Sequence, residues 1–171
     1  LETLWIPTAG LTLSANLGLL DSSYENYMVV DGSGNALDKG GLDLRRAPDM
    51  TFTVGAMHEA QLTESSFLVS TIDYRWKDDY CTSANNSGIE GNYSGNNPAC
   101  NDAYGILDAS ISFESDNWRV SLYGKNLTDE IYSLYFLDVG GQYNVTSPTN
   151  SAPVYVPALW SQGTVNRPRH F

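Results

Sequence analysis

Basic residues, cysteines and long hydrophobic runs are all scarce in this chain, and each scarcity excludes a class of protein. The chain has 171 residues, with 9 Lys and Arg against 20 Asp and Glu, for a formal charge of −11. Such a field repels a polyanionic backbone, so we expect no nucleic-acid partner. No stretch reaches the ~18 to 20 consecutive apolar residues of a membrane-spanning helix, but a barrel strand needs only one apolar face. Helical spanning is therefore excluded, and β spanning is not.

The first ten residues, LETLWIPTAG, contain neither the basic region nor the long apolar core of a signal peptide. We therefore expect no signal peptide in this chain. Two readings follow: a cytosolic protein, or a mature protein or fragment whose export signal lies elsewhere.

The only two cysteines, Cys81 and Cys100, bracket a single polar loop, TSANNSGIEGNYSGNNPA. A pair placed in this way is typical of a disulfide that staples a loop in an oxidising compartment, with two free thiols as the alternative. No histidine or second cysteine pair stands nearby to indicate zinc. The spacing predicts a disulfide between them.

Strict alternation of apolar and polar residues recurs along the chain, and helical periodicity is rare. The alternating segments are LTLSANLGL, MTFTVGA, FLVSTIDYRW, GILDASISF and WRVSLYGK. In the last of these, Val120 and Leu122 share one face, and Arg119 and Lys125 share the other. Arg75 lies on the polar face of FLVSTIDYRW in the same way. A dry core would penalise each unpaired charge by several kcal/mol, so we expect the charged face to meet water. The pattern predicts an all-β chain.

Tight turns and long polar connections alternate between these segments. The tight ones are PTAG, EAQLTES and ESDN, and the long ones span residues 30–48, 79–102 and 128–165. In an up-and-down antiparallel array this places every tight turn at one end, as in outer-membrane barrels. The alternating runs cover about 9 to 12 residues, close to the ~9 to 11 of a tilted membrane-crossing strand and longer than the ~5 to 6 of a soluble sandwich strand.

Aromatic residues cluster at the ends of the predicted strands. Tyr74, Trp76 and Tyr80 fall where the fourth strand meets its long loop, and Trp118 falls at a tight turn. Amphipathic rings at both ends of an apolar band suit the two membrane interfaces. For any single residue, the ordinary preference of strands for aromatics is the alternative.

Several segments together resemble the TonB-dependent outer-membrane receptors. DAYGILDASISFESDNWRVSLYGKNLTDEIY resembles the penultimate hairpin of that family, with its GKNLTDE exit into a loop. GTVNRPRHF is similar to the entry into the final barrel strand, DLRRAPDMTFTVGA to a descending strand, and PTAGLTLSANLGLLDSSY to an ascending one. The GKNLTDE and NRPR elements are the most specific part of the resemblance, which covers nearly the whole chain.

The resemblance implies a plugged transmembrane barrel of about 22 strands. Such a receptor imports a scarce nutrient, such as an iron-siderophore complex, cobalamin or a glycan, across the outer membrane of a Gram-negative bacterium. We expect residues 1–171 to be the C-terminal portion of that barrel, about seven antiparallel strands, with the plug domain and the final strand absent. Pro168 interrupts the alternation before Phe171, so we read Phe171 as a truncation point. The implied partners are outer-membrane lipid, a small-molecule or metal-chelate ligand, and the TonB complex acting through an N-terminal region.

No catalytic constellation is visible, because the two histidines, His58 and His170, lie far apart in unlike contexts, and Ser, Asp and Glu are too numerous to pair without geometry. We expect no enzymatic activity, no cofactor and no metal site. His58 is interpreted as a polar or interfacial residue at the end of a strand.

Ligand contacts of such a receptor would come from its loops, where binding residues concentrate. The segment IYSLYFLDVGGQY supplies the candidate ligand-binding residues Tyr132, Tyr135, Phe136 and Tyr143. Packing of these aromatics against neighbouring loops is an equal alternative.

Two other protein classes fit parts of the pattern. One is a complete small outer-membrane barrel of eight strands with a structural or adhesive role. The other is a secreted soluble β-sandwich that binds carbohydrate through Tyr- and Asn-rich loops. The sandwich predicts that the apolar face of the first alternating segment, from Leu11 to Leu19, is buried between two sheets.

Overall fold

The computed structural model describes residues 1–30, 36–38, 40–82, 100–139, 142–147, 150–156 and 160–171. These residues form strands and turns, with no helix among them. The strands are β1 (Glu2–Thr8), β2 (Leu11–Leu19), β3 (Met28–Val30), β4 (Ala36–Asp38), β5 (Met50–Thr63), β6 (Ser66–Lys77), β7 (Tyr80–Cys81), β8 (Cys100–Asn101), β9 (Tyr104–Ser115), β10 (Trp118–Gly124), β11 (Ser133–Val139), β12 (Gln142–Ser147), β13 (Asn150–Val156) and β14 (Trp160–Val165). The predicted all-β class is confirmed.

Across the described ranges, no helix has the length and apolar character needed to cross a membrane.

One six-stranded antiparallel sheet forms the body of the described structure, in the order β1-β2-β5-β6-β9-β10. Each strand pairs with the next one of this set along the chain, so the sheet is an up-and-down meander. The described residues leave this sheet open, and no closed barrel is seen in them.

Short and long connections leave the sheet at opposite ends, as the sequence predicted. Two-residue turns join the members of the pairs β1–β2, β5–β6 and β9–β10. The long connections carry four separate two-stranded pairs, β3–β4, β7–β8, β11–β14 and β12–β13. These segments were expected to be polar loops, so the strands within them are an addition to the prediction. The end of the sheet with the two-residue turns is called the turn end below, and the other the loop end.

The described residues give the sheet six strands, and among them an isolated bridge between Lys125 and His170 continues it beyond β10. The expected total of about seven strands stays a prediction. Two details of the sequence prediction need correction. Most of EAQLTES belongs to β5. Glu59 and Gln61 continue one face of that strand and the residues between them continue the other face, while the turn itself lies at residues 64–65. His58 therefore lies inside β5 and not at a strand end.

The register keeps the apolar side chains on one face of the sheet across all six strands. Because side chains alternate along a strand, residues opposite each other in register share a face. One such row joins Trp5, Leu13, Ala56, Ile72, Ala109 and Gly124. This side is called the apolar face below; His58 and Ser70, which are opposite each other, are polar exceptions on it.

The opposite side, called the polar face below, carries the ion pairs of the sheet. Its rows include Thr53, Arg75, Asp73, Asp108, Ser110, Ser112 and Arg119. Hydroxyl pairs bridge neighbouring strands here, at 2.7 Å between Thr71 and Ser110 and 2.8 Å between Ser112 and Ser121. Its apolar exceptions include Met57, Phe67 and Val69 near the turn end, and also Leu4 and Ile106.

No second layer of the described residues covers the apolar face. Val54 is 45% exposed and Val120 60% exposed, while Leu13 and Leu107 are half-buried. Ile106, at 8% exposure, is the only buried hydrophobic residue in the described part of the chain. A soluble domain of this size normally encloses an apolar core between two layers. Within the described residues, the apolar face of the sheet therefore has no packing partner.

Candidate functional site

The polar face has one strongly connected residue, Asp108, at the loop end of the sheet. Its carboxylate accepts a hydrogen bond from Arg75 Nη2 at 2.6 Å and one from Lys125 Nζ at 3.2 Å. The backbone N–H of Asn126 donates to its second oxygen at 2.9 Å. Asp108 is 4% exposed, so these three donors replace the water that the charge gave up. The carboxylate thus joins β6, β9 and the chain leaving β10.

Asn126 ends β10 and turns the chain away from the sheet. Its φ of 52° lies in the left-handed region, which asparagine tolerates better than most side chains. Its side-chain amide donates to the carbonyls of Glu130 (2.9 Å) and Arg167 (3.1 Å), and its side-chain oxygen accepts from the N–H of Glu130 (3.0 Å). The side chain of buried Asn126 therefore stabilises the turn of the GKNLTDE segment through three hydrogen bonds.

A second asparagine, Asn166, ties the end of the chain to the same region. Its oxygen accepts from the N–H of Tyr132 at 2.9 Å, and its amide donates to the Glu130 carbonyl at 2.9 Å. Lys125 and His170 then exchange two backbone hydrogen bonds of 2.9 and 3.1 Å. The two segments that carry the family resemblance are thus in direct contact.

A groove of about 750 Å³ lies on the polar face at this end of the sheet. It is lined by Thr51, Thr53, Arg75, Trp76, Lys77, Tyr104, Ile106, Asp108, Lys125, Asn126, Tyr132, Asn166, Arg167 and His170. Its volume falls within the ~300 to 1,000 Å³ of small-molecule sites. This groove, called the basic groove below, is the candidate functional site.

A column of tyrosines forms one wall of the basic groove. The rings of Tyr104 and Tyr132 stack with centroids 4.3 Å apart and planes at 14°. Tyr80 extends the column, since its hydroxyl lies 3.2 Å from that of Tyr104. The predicted candidate Tyr132 therefore lies in the groove.

Of the other three predicted candidates, the structure describes the side chain of Tyr135 alone. Tyr135 is 42% exposed, and the Arg46 guanidinium lies 5.9 Å from its ring centroid. The backbones of Phe136 and Tyr143 lie in β11 and β12, and their side chains fall outside the described part of the structure.

Cys81 and Cys100 are joined by a disulfide, at the base of the connection between β6 and β9. They are directly opposite each other in the β7–β8 pair. Next to this pair, Asn101 holds the start of β11 by accepting from the N–H of Ser133 (2.6 Å) and donating to its carbonyl (3.0 Å). The loop end is therefore fastened both covalently and through asparagine amides.

Carboxylates crowd a small hollow of about 80 Å³ beside this disulfide, lined by Asp43, Asp49, Asp78 and Asp79 among others. Burial, followed by repulsion from Asp78, raises the pKa of Asp79 above its ordinary value. Within the described ranges, no group of three or more His, Cys, Asp or Glu residues could hold a metal ion.

Sequence reasoning identified part of the basic groove and missed the rest. Alternation placed Arg75 and Lys125 on the wet face, and the hairpin register brings Asp108 between them. Tyr104 stood at the edge of a recognised segment, but its stacking on Tyr132 depends on a long-range return of the chain. Nothing local in the sequence signals that Asn101, Asn166 or Arg167 reach this region.

No protein-family model, curated protein or solved structure matches this chain.

Proposed function

We propose that this chain is a segment of a transmembrane β-barrel in the outer membrane of a Gram-negative bacterium. In this proposal it belongs to a receptor of the TonB-dependent type and has no enzymatic activity. The observation that carries the proposal is the uncovered apolar face of the single-layer sheet. An apolar surface that extends over several strands needs either a protein partner or hydrocarbon.

The spacing of aromatic residues on the apolar face supports a bilayer as that partner. Trp76 stacks on Phe52 at 5.3 Å between centroids near the loop end, and Trp118 lies 5.0 Å from Phe113 at the turn end. In register, these rings lie at the levels of Gly105 and Ser115 of β9. Ten residues of strand span about 34 Å, or about 26 Å when tilted by ~40°. This agrees with the ~25 Å apolar band that aromatic girdles enclose in outer-membrane barrels.

Two further features support the location. The two-residue turns are at one end of the sheet and the long connections at the other, as in barrels with short periplasmic turns and long external loops. The disulfide at the loop end suits an oxidising environment outside the cytosol.

The transport role follows from the resemblance of the GKNLTDE and NRPR segments. A receptor of this type takes up a scarce nutrient, such as an iron-siderophore complex, cobalamin or a glycan, with energy delivered by the TonB complex through a region outside these residues. The charged polar face supports an aqueous interior, because Arg75 and Lys125 remain about half exposed while paired with Asp108.

The soluble sandwich receives no comparable support from the described residues. It requires a second sheet over the apolar face of β2, where Leu17 is 36% and Leu19 73% exposed. A small complete barrel shares the lipid-facing surface and differs in closure, because its own two edge strands must pair.

Fractionation of cells that produce the intact protein tests the proposal. We expect the protein in the outer-membrane fraction, insoluble in high salt and released by detergent, with heat-dependent migration in detergent gels. A detergent-free, monodisperse protein in the periplasmic or cytosolic fraction would exclude the barrel. Accumulation of labelled iron-siderophore, cobalamin and maltodextrin, with and without a protonophore, then tests energised uptake against a purely structural barrel.

A further inference from the structure

The basic groove concentrates positive charge in a chain that is otherwise strongly acidic. The whole chain has 9 Lys and Arg against 20 Asp and Glu. Four of the basic residues, Arg75, Lys77, Lys125 and Arg167, line this one groove, together with His170. The only carboxylate in its lining is Asp108. Asp73, opposite Asp108 in register, is the nearest further acid on the same face and lies outside the lining.

Asp108 compensates only part of this charge. It pairs with Arg75 and Lys125, and both of these side chains stay about half exposed. Lys77 lies 5.3 Å from the centroid of the Tyr80 ring, and neither Lys77 nor Arg167 makes an ion pair within the described residues. Among the described residues, two cations of the groove therefore have no anionic partner.

The groups around these cations are held in place before any ligand arrives. Asp108 orients Arg75 and Lys125, and the amide of Asn126 fixes the carbonyl of Arg167. The bridge between Lys125 and His170 fixes the backbone beside Lys125. Arg75 and Lys125 can therefore bind an anion with little ordering cost, since their geometry is already set.

We propose that the basic groove binds a small oligoanion, a molecule with two or more carboxylate or phosphate groups. Cations stand on both sides of β9, with Lys77 on β6 and Lys125 after β10, and this favours a ligand with more than one anionic group over a single inorganic ion. The volume of about 750 Å³ suits a small molecule, and the stacked Tyr104 and Tyr132 offer a flat wall and hydroxyl donors. The inference adds a ligand class to the proposed receptor and rests on that function only for uptake. Binding to the purified protein requires no transport.

Calorimetric titration of the intact protein at about 20 mM salt, where screening is weak, tests the inference. The probes are citrate and pyrophosphate, with sucrose as a neutral control. We expect each anion to bind once per chain, more weakly at higher salt, and sucrose not to bind. The tighter of the two anions identifies the preferred group.

Two variants link the binding to the groove. Lys77→Gln and Arg167→Gln each remove one uncompensated cation, and each should weaken anion binding roughly fivefold, the scale of one exposed charge pair. The matched control is Arg45→Gln, the same charge change at an exposed residue outside the groove lining, and it should leave the affinity unchanged.

Four results would overturn the inference: no binding of either anion, equal binding of sucrose, no loss in both groove variants, or an equal loss in Arg45→Gln. A hexaglutamate peptide that binds without displacement by citrate or pyrophosphate would also overturn it, by assigning the groove to an acidic protein segment. Fractionation and titration fail separately, since a soluble protein can still bind citrate and a membrane barrel can fail to bind it.

Discussion

The two faces of the six-stranded sheet are built from the same strands and are stabilised in different ways. On the polar face, Asp108 gathers Arg75 and Lys125, and hydroxyl pairs cross between strands. On the apolar face, aromatic rings such as those of Phe52 and Trp76 contact each other, while Val120 and Leu122 remain exposed. Ion pairs and hydroxyl pairs join the strands on the polar face, and the described residues leave the apolar face uncovered. The proposed barrel accounts for this difference by placing water on one side of the layer and hydrocarbon on the other.

The largest effect is expected when an arginine is placed on each face in turn, which tests the difference between the two faces directly. Ile72 and Thr71 are neighbours in β6 near the middle of the sheet, and their side chains lie on the apolar and polar faces respectively. Ile72→Arg should destabilise a membrane-inserted protein by about 2 to 4 kcal/mol, the cost of arginine on a lipid face at the midplane. Thr71→Arg should cost far less, because its face meets water. Equal losses in urea unfolding from lipid vesicles would contradict the assignment of the faces.

A smaller effect tests whether the polar face depends on its one buried carboxylate. Asp108→Asn removes the charge that Arg75 and Lys125 share, and it should lower the free energy of unfolding by about 2 kcal/mol, as for hydrogen bonds to charged groups. The matched control is Asp73→Asn, directly opposite in register and without an ion pair among the described residues. We expect that control to stay within about 0.5 kcal/mol of wild type. The midpoint of urea unfolding measures both, and an equal loss would remove Asp108 from its central role.

The smallest effect concerns the loop end, where carboxylates crowd instead of pairing. Burial and then Asp78 raise the pKa of Asp79, so the folded state binds its proton more tightly than the unfolded state does. Asp79→Asn should therefore stabilise the protein at neutral pH by about 0.3 kcal/mol, the scale of a surface charge pair. The gain should shrink as the pH falls through the raised pKa and vanish below the ordinary value of 3.8.

Thermal unfolding of wild type and variant at a series of pH values measures this difference. Asp21→Asn, at an exposed position, provides the control and should show no such pH-dependent gain. A gain for Asp79→Asn that grows on acidification would contradict the expected sign.

The alternation of side chains made the sheet predictable, and long-range contacts limited the rest. Period-two patterns identified the cores of β2, β5, β6, β9 and β10, because each apolar residue on one face signals its neighbours two positions away. The C-terminal half of β5 was missed, since His58 interrupts the apolar series although Ala60 and Leu62 continue it. The short strands of the long connections pair with each other and leave no periodic signal strong enough to detect.

Two groups of residues in the basic groove were predictable from the sequence: those on the sheet strands, and one residue in a loop. Arg75 and Lys125 were assigned to the wet face from alternation alone, and Tyr132 from its loop composition. The joining of Asn126 to Arg167, 41 positions later, depends on the chain returning to its own strand. The basic residues of the groove are brought together by the same return of the chain, because they lie far apart in the sequence.

The disulfide has a consequence for how this molecule responds to a protease. A single cut anywhere between Cys81 and Cys100 divides the polypeptide into two pieces that still travel as one covalent species. Such a nick would be invisible under non-reducing electrophoresis and would split the band only after a thiol reagent is added. The bridge therefore allows this connection to be cut without separating the two halves of the sheet.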